Sequence, residues 1–210
     1  WIEKPFGASP SEARALLDEA IEKQATVFSG HLLRYHAGFQ HAKHLIEEGA
    51  IGQLASVTYA RCTVRPRPLS TNLIDGLASH GIDGLAYLFP GRFEFSSTKV
   101  MGQMENQDAA TFVIEDENTT ASIIVGWGVE RERRSLRVIG TEGKIELDFG
   151  QHSTLMLNDE VRNLKPSRSP LQVQVLAALN TPHMMPERIK SIFNTTVNVE
   201  KVKLAMSRQI

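Results

Sequence analysis

The chain is 210 residues long, 41% hydrophobic and 22% charged, and its 23 Lys+Arg against 24 Asp+Glu leave a net charge of −1. That balance belongs to a globular chain with enough apolar residues for a sizeable core, and it leaves no electrostatic footprint for nucleic acid or an acidic membrane. The single cysteine, Cys62, excludes an internal disulfide framework and fits a reducing, cytoplasmic compartment, and no apolar run is long enough to span a bilayer.

In chain order, residues 1–4 read as a short strand that stops at Pro5, whose nitrogen cannot donate to a ladder. The opening on Trp1 rather than Met is expected of the remainder of a longer polypeptide. Ser9-Pro10-Ser11-Glu12 has the form of a capping box with proline at the first helical position. The helix that follows runs to about residue 23 and buries Ala13, Leu16, Leu17, Ala20 and Ile21, and residues 26–30 make the next strand. Such a strand–helix–strand unit belongs to a parallel sheet with helix cover, but one unit is too little for a complete doubly wound domain.

A second helix over residues 37–48 turns Phe39, Ala42, Leu45 and Ile46 inward and ends at Gly49. Residues 54–64 alternate as a half-buried strand, and Arg65-Pro66-Arg67-Pro68 is a loop. Further strands are expected over residues 93–103, 109–116, 119–129, 136–140 and 144–149, with a short one at 155–157. Turn residues at 115–118 and 140–143 make hairpins of their neighbours. The last forty residues read as helical, broken at 181–186 and again by a loop at 195–198. The fold class is therefore α+β: an open, mainly antiparallel sheet with helices on one face, preceded by the last strand–helix–strand of a truncated Rossmann domain. Residues 1–31 are that remnant and residues 32–210 the second domain. An open sheet face needs cover, which a second copy of the chain would supply.

Residues 72–91, NLIDGLASHGIDGLAYLFPG, are the informative stretch. At 100° per residue, Ile74, Leu77, Ala78, Leu85, Leu88 and Phe89 share an apolar arc, while Gly76, His80, Asp83 and Tyr87 share another. Gly76 and Gly84 leave room on that second face. Asp75 lies well round the helix and suits the N-cap. A lone histidine here would be a packing group; three functional groups on one face set a chemical role beside that packing role. Glu3-Lys4-Pro5 sits at the carboxyl end of a parallel strand, where open α/β sheets place ligands, and a lysine there can stabilise an alkoxide. His31, His36, His41 and His44 form a histidine-rich run with no carboxylate or cysteine at a matching interval, so no metal site is expected.

WIEKPFG, GHLLRYHAGF, AIGQLASV, the ASHGID helix and LRVIGTEGKIEL, in that order, resemble the glucose–fructose oxidoreductase, inositol dehydrogenase and MocA family of NAD(P)-dependent oxidoreductases, over roughly residues 1–149. The resemblance implies NAD or NADP as cofactor, a sugar or polyol substrate, and a homo-oligomer formed through the open sheet. It gives Lys4 contacts with the nicotinamide ribose and the substrate hydroxyl, with Glu3 and Pro5 beside it and a Lys4–Pro5 bond that is often cis in such proteins. It makes His80 the acceptor of the alcohol proton, and puts Arg34 and Tyr35 at the domain junction near cofactor or substrate, with a junction salt bridge as the other reading of Arg34. Tyr87 is either a substrate donor or a packing residue. Many members carry an aspartate four residues before the histidine, where this chain has Gly76. Either Asp75 substitutes for it or Asp83 orients the ring. No G-x-G-x-x-G follows a strand, so the chain alone is not expected to bind the dinucleotide well or to be active. A binding or assembly module without turnover is the alternative.

Overall fold

The computed structural model describes residues 2–4, 6–25, 27–101, 108–116, 118–150, 154–164, 168–180 and 186–208, with 178–180, 186–190 and 192 by backbone alone. Eight strands form one sheet: β1 (Leu54–Cys62), β2 (Lys99–Met101), β3 (Ala109–Asp116), β4 (Thr119–Gly126), β5 (Arg133–Gly140), β6 (Lys144–Asp148), β7 (Thr154–Leu157) and β8 (Glu160–Asn163). Their order is β2-β3-β4-β1-β5-β6-β7-β8, and only the β1–β4 neighbours are parallel. That pair needs a long crossover, and the chain between β1 and the β2–β3–β4 meander supplies it, including the central helix α3 (Ser79–Leu88). The α+β class with a mainly antiparallel open sheet stands.

Period-two alternation explains the layering. Ala110, Phe112 and Ile114 of β3, Ala121, Ile123 and Val125 of β4, and Leu136 and Val138 of β5 point to one face and are buried. They pack with Phe39 and Ala42 of α2 (Ala37–Glu47), the α3 residues Ile82, Leu85 and Leu88, and Val199 and Val202 of α5 (Pro186–Ser207). The opposite face, which carries Thr58, Ser122, Ile124, Arg137 and Glu146, has no helix over it among the described residues. No described helix is long and apolar enough to cross a membrane.

At the amino terminus, Ser9 caps α1 (Pro10–Glu22) by accepting from the Glu12 amide at 3.2 Å. The strands expected on either side contract to one parallel bridge between Ile2 and Ser29, held by Ile2 N–H to Phe28 O at 2.8 Å and Gly30 N–H to Ile2 O at 3.0 Å. Phe6, Ala13, Leu17, Ala20 and Val27 make a small separate core there, while Ile21, expected inside, is 54% exposed. Two residues of pairing suffice because α1 docks on α5.

Other expectations are corrected. The strand at 93–103 becomes a 3₁₀ turn (Phe95–Ser97) and the short β2, with 102–103 outside the described residues. β8 was not expected, and β5 starts at Arg133 rather than 136. No loop interrupts residues 195–198: α5 runs through them, because Thr195, Thr196 and Val199 are buried. Residues 181–185 of the expected helical break lie outside the described residues.

Candidate active site

Central to the site is a distortion at the start of the middle helix. Ile74–Ala78 is a π-helical turn, and the Ser79 amide donates to Ile74 O instead of Asp75 O. The freed Asp75 carbonyl accepts the Lys4 ammonium at 2.6 Å and the Ser79 hydroxyl at 2.9 Å; Lys4 also donates to Gly76 O at 3.1 Å. Such bulges re-aim backbone groups at functional sites. Lys4 is thereby fixed one helical turn before His80. Burial and then the Arg61 charge lower its pKa to about 8, against the opposite pull of Asp75 and Glu3.

His80 is buried and makes no hydrogen bond to a described residue. Burial, then Arg61, Lys4 and His31, hold its pKa well below the ordinary histidine value, with Asp83 opposing. The imidazole is therefore neutral at physiological pH, the state in which it can accept a proton. Arg61 was not among the expected residues, although strand period announces it: two residues after inward-facing Tyr59 on β1, it shares that residue's face. His31 was likewise weighed only for metal. It is buried, with Nδ1 3.6 Å from Asp83 Oδ1.

Neither carboxylate considered for orienting His80 bonds to it. Asp75 accepts from Asn72 Nδ2 at 2.6 Å and pairs with Lys203 at 2.8 Å, while its amide donates to Asn72 Oδ1 at 2.8 Å. Asn72 is thus the capping residue, in place of Asp75. Asp83 is 1% exposed and its oxygens accept from Arg34 Nε at 3.0 Å, Arg34 Nη2 and the Thr195 hydroxyl at 2.7 Å. Arg34 extends the clamp to Ser191 Oγ at 2.5 Å. Asp83 consequently ties α3 to α5 and to the 3₁₀ turn Leu32–Tyr35.

Arg34, Tyr35 and Tyr87 gather at a different opening, of about 250 Å³, whose walls also include His31. Arg34 and Lys43 approach the Tyr87 ring at 5.7 and 5.2 Å from its centroid. The structure therefore brings Lys4, His80 and Arg61 into one electrostatic environment and sets Arg34, Tyr35 and Tyr87 apart, with the His31–Asp83 pair between. The small void that Lys4 lines, about 20 Å³, has Ser79 and His31 in its walls but not His80. Glu3 is exposed and its carboxylate lies over Gly30, where a Cβ would meet Oε2 at 2.6 Å. Pro5 and the geometry of its peptide bond fall outside the described residues.

The expected room beside Gly76 and Gly84 is also filled. A Cβ at Gly76 would stand 2.9 Å from Trp127 Cζ2, and one at Gly84 would stand 3.1 Å from Phe39 Cζ. The glycines admit rings.

Fold and cluster define a class: an α+β domain with one sheet face uncovered among the described residues, and a buried histidine with a half-buried lysine and arginine near it where a parallel unit joins the domain. A family model described as the GFO/IDH/MocA C-terminal domain matches residues 39–146, and the chain belongs to that family. It is 22% identical over 179 residues to myo-inositol 2-dehydrogenase of Thermotoga maritima, covering 76% of this chain and 52% of that protein. With UDP-N-acetylglucosamine 3-dehydrogenase of Acidithiobacillus ferrooxidans it shares 27% over 152 residues, 70% of this chain and 47% of that one. The chain thus spans about half the length of these curated relatives. Among solved structures, levoglucosan dehydrogenase in complex with NADH and levoglucosan superposes with a TM-score of 0.80 at 16% identity, covering all of this chain and 72% of that one. A 3-ketoreductase from Actinomadura kijaniata, solved with TDP-benzene and NADP, also gives 0.80 at 14% identity over 96% and 68% of the two chains.

Proposed function

We propose that the protein carrying this chain is an NAD(P)-dependent oxidoreductase acting on a sugar, polyol or related carbonyl compound. Residues 32–210 are its substrate-binding and oligomerisation domain, and residues 1–31 are what this chain holds of a cytoplasmic enzyme's dinucleotide-binding domain. The observation that carries this reading is the Lys4 ammonium held on Gly76 O, four residues before the buried His80. An ammonium fixed one helical turn from a buried, neutral imidazole supplies an electrostatic partner for oxygen and an acceptor for its proton. The dehydrogenase names of the curated relatives, and the NADH and NADP in the solved ones, support the same chemistry.

The residues present fit the reactive end of a nicotinamide cofactor and not its pyrophosphate: Lys4 stands at a strand end, and no glycine-rich phosphate turn precedes a helix. Bound there, the cofactor supplies the hydride acceptor or donor. His80 takes the hydroxyl proton as the substrate C–H bond gives up its electron pair, so an alcohol becomes a carbonyl. Lys4 stabilises the developing oxyanion, and Asp75 acts through the carbonyl that holds Lys4. Arg34 and Glu3 are assigned to the cofactor side, as is Pro5 by its place in the sequence next to Lys4, and Tyr35 and Tyr87 line the neighbouring opening for substrate. Asp83 positions Arg34 and His31. The open sheet face pairs with a second copy of the chain.

In the whole protein, His80→Ala and Lys4→Ala test this. Each is expected to lower turnover of an oxidised polyol or sugar by roughly a hundredfold or more; wild-type rates in both overturn the assignment. The second reading, a module without turnover, draws on the engagement of Lys4 by two backbone carbonyls. Nicotinamide fluorescence on binding, with no oxidation across a polyol panel, would establish that reading instead.

A further inference from the structure

At the carboxyl ends of β1 and β4, the sheet's parallel pair, lies a cavity of about 280 Å³ whose walls include Arg61, Arg65, Gly76, Trp127, Glu132 and Arg134. Its rim is held by backbone: Thr63 N–H donates to Gly126 O at 2.8 Å and Gly128 N–H to Arg65 O at 2.8 Å. Charge inside it does not cancel. Glu132 is already engaged by Arg134 at 2.8 Å, the Thr63 hydroxyl at 2.6 Å and the Val64 amide at 3.1 Å. Among the described residues no carboxylate forms an ion pair with Arg61 or Arg65, while the neighbouring Arg67 is paired with Asp108 at 3.1 Å. The buried indole N–H of Trp127 has no acceptor among the described residues. Arg61 also lies against the buried Tyr59 hydroxyl, which leaves its charge uncancelled. What the cavity offers besides the engaged Glu132 is therefore donors and cations, and donors in a partly enclosed space gain most from an anion.

We propose that this cavity is the anion subsite of the substrate pocket and takes the carboxylate or phosphate of an acidic sugar through Arg61, Arg65 and the Trp127 N–H. Gly76 links it to the chemistry: it lines the cavity while its carbonyl accepts the Lys4 ammonium at 3.1 Å, four residues before His80. An anionic group held there leaves the sugar carbons to reach Lys4 and His80. The inference rests on the redox reading and narrows its substrate class from neutral polyols to sugar acids or sugar phosphates, nucleotide-linked ones included.

Titration calorimetry on the whole protein with glucose, glucuronate and glucose 6-phosphate tests it without turnover. At least one acidic sugar is expected to bind roughly tenfold tighter than glucose, with the difference shrinking at high salt. Whichever acid gains more tells carboxylate from phosphate. Arg65→Gln should remove most of the gain and leave glucose binding unchanged, and Trp127→Phe should weaken the acidic sugar alone by roughly threefold. Equal affinity for all three, absence of binding by both acids, or an equal loss for charged and neutral sugars in Arg65→Gln overturns the proposal. Tight binding of an acidic sugar that neither NAD nor NADP oxidises leaves the subsite standing and removes the redox reading. Oxidation of neutral polyols with no preference for charge does the reverse.

Discussion

The Thr195 hydroxyl donates to Asp83 Oδ1 at 2.7 Å across 112 residues of sequence. Asp83 is at the same time the counter-charge of Arg34, whose guanidinium also reaches Thr195 at 3.1 Å. Burial pushes the Asp83 carboxyl up, but the His31 and Arg34 charges and the Arg34 and Thr195 hydrogen bonds outweigh it and hold its pKa at about 2. Helix α5 is therefore anchored to the central helix through a carboxylate that stays ionised.

Removing that carboxylate isolates a buried guanidinium. Asp83→Asn is expected to cost ~3–5 kcal/mol and Thr195→Val ~1–3 kcal/mol in urea unfolding at neutral pH. The double variant should lose less than the sum, since both changes break one network. Strict additivity would show that the hydroxyl stabilises α5 independently of Asp83.

Stability should fall on mild acidification. His31 and His80 are both held below their ordinary pKa, chiefly by burial. The unfolded imidazoles take up protons below pH ~6.5 while the folded ones resist. The contribution is therefore complete above about pH 6.5 and declines below it, by at most ~1.4 kcal/mol per pH unit for each histidine. Urea midpoints measured from pH 7.5 down to about 5 check this, with His31→Gln expected to flatten the slope. A slope unchanged by that substitution would mean His31 is charged in the folded chain.

Two glycines of α3 should answer differently to alanine. A Cβ at Gly81 would stand 2.6 Å from Tyr59 Cδ1 and 2.8 Å from Ile123 Cγ2, against rings and branches packed into the sheet. Overpacking of ~1–3 kcal/mol should persist in Gly81→Ala despite the ~1 kcal/mol that alanine gains in helix propensity. At Gly84 the nearest atom is Phe39 Cζ at 3.1 Å, so Gly84→Ala should change stability by less than about 1 kcal/mol. Thermal midpoints of the two variants decide it.

What was legible in the sequence was local. Ser9 and Glu12 announce the start of α1, and the alternation of β3 and β4 announces a one-faced sheet. Misreadings came where tertiary contact overrode local preference. Thr195-Thr196-Val197-Asn198 has poor helix propensity, yet it is helical because Thr195 bonds Asp83 and Thr196 bonds Phe6 O. The π turn is invisible to a 100° wheel, because Lys4, seventy-one residues away, takes the Asp75 carbonyl that the turn frees. Gly76 read as open space, and only the fold shows Trp127 against it. Arg61 was readable from strand period alone, two residues after the inward-facing Tyr59.

The positive surroundings of His80 can be tested by titration of its ring protons. Lys4→Met and Arg61→Met each remove a charge that opposes protonation, so the midpoint should rise, more for Arg61, by roughly half a pH unit or more. Resonances that titrate identically in wild type and Lys4→Met would separate the two side chains and remove the basis of the proposed chemistry.

Gly76→Asp restores the carboxylate that many family members carry, and here it should be harmful before it is helpful. Its Cβ would press on Trp127 Cζ2 at 2.9 Å and on Thr71 at 3.4 Å, so a loss of ~1–3 kcal/mol is expected. Pairing it with Trp127→Ala removes the obstructing ring and should recover part of that loss. In both variants the new carboxylate stands beside Arg61 across the cavity and one turn from His80, so it favours the imidazolium and the ring should titrate at higher pH. Recovered stability with an unmoved His80 midpoint would mean that packing against Trp127, and not charge, governs which residue position 76 admits.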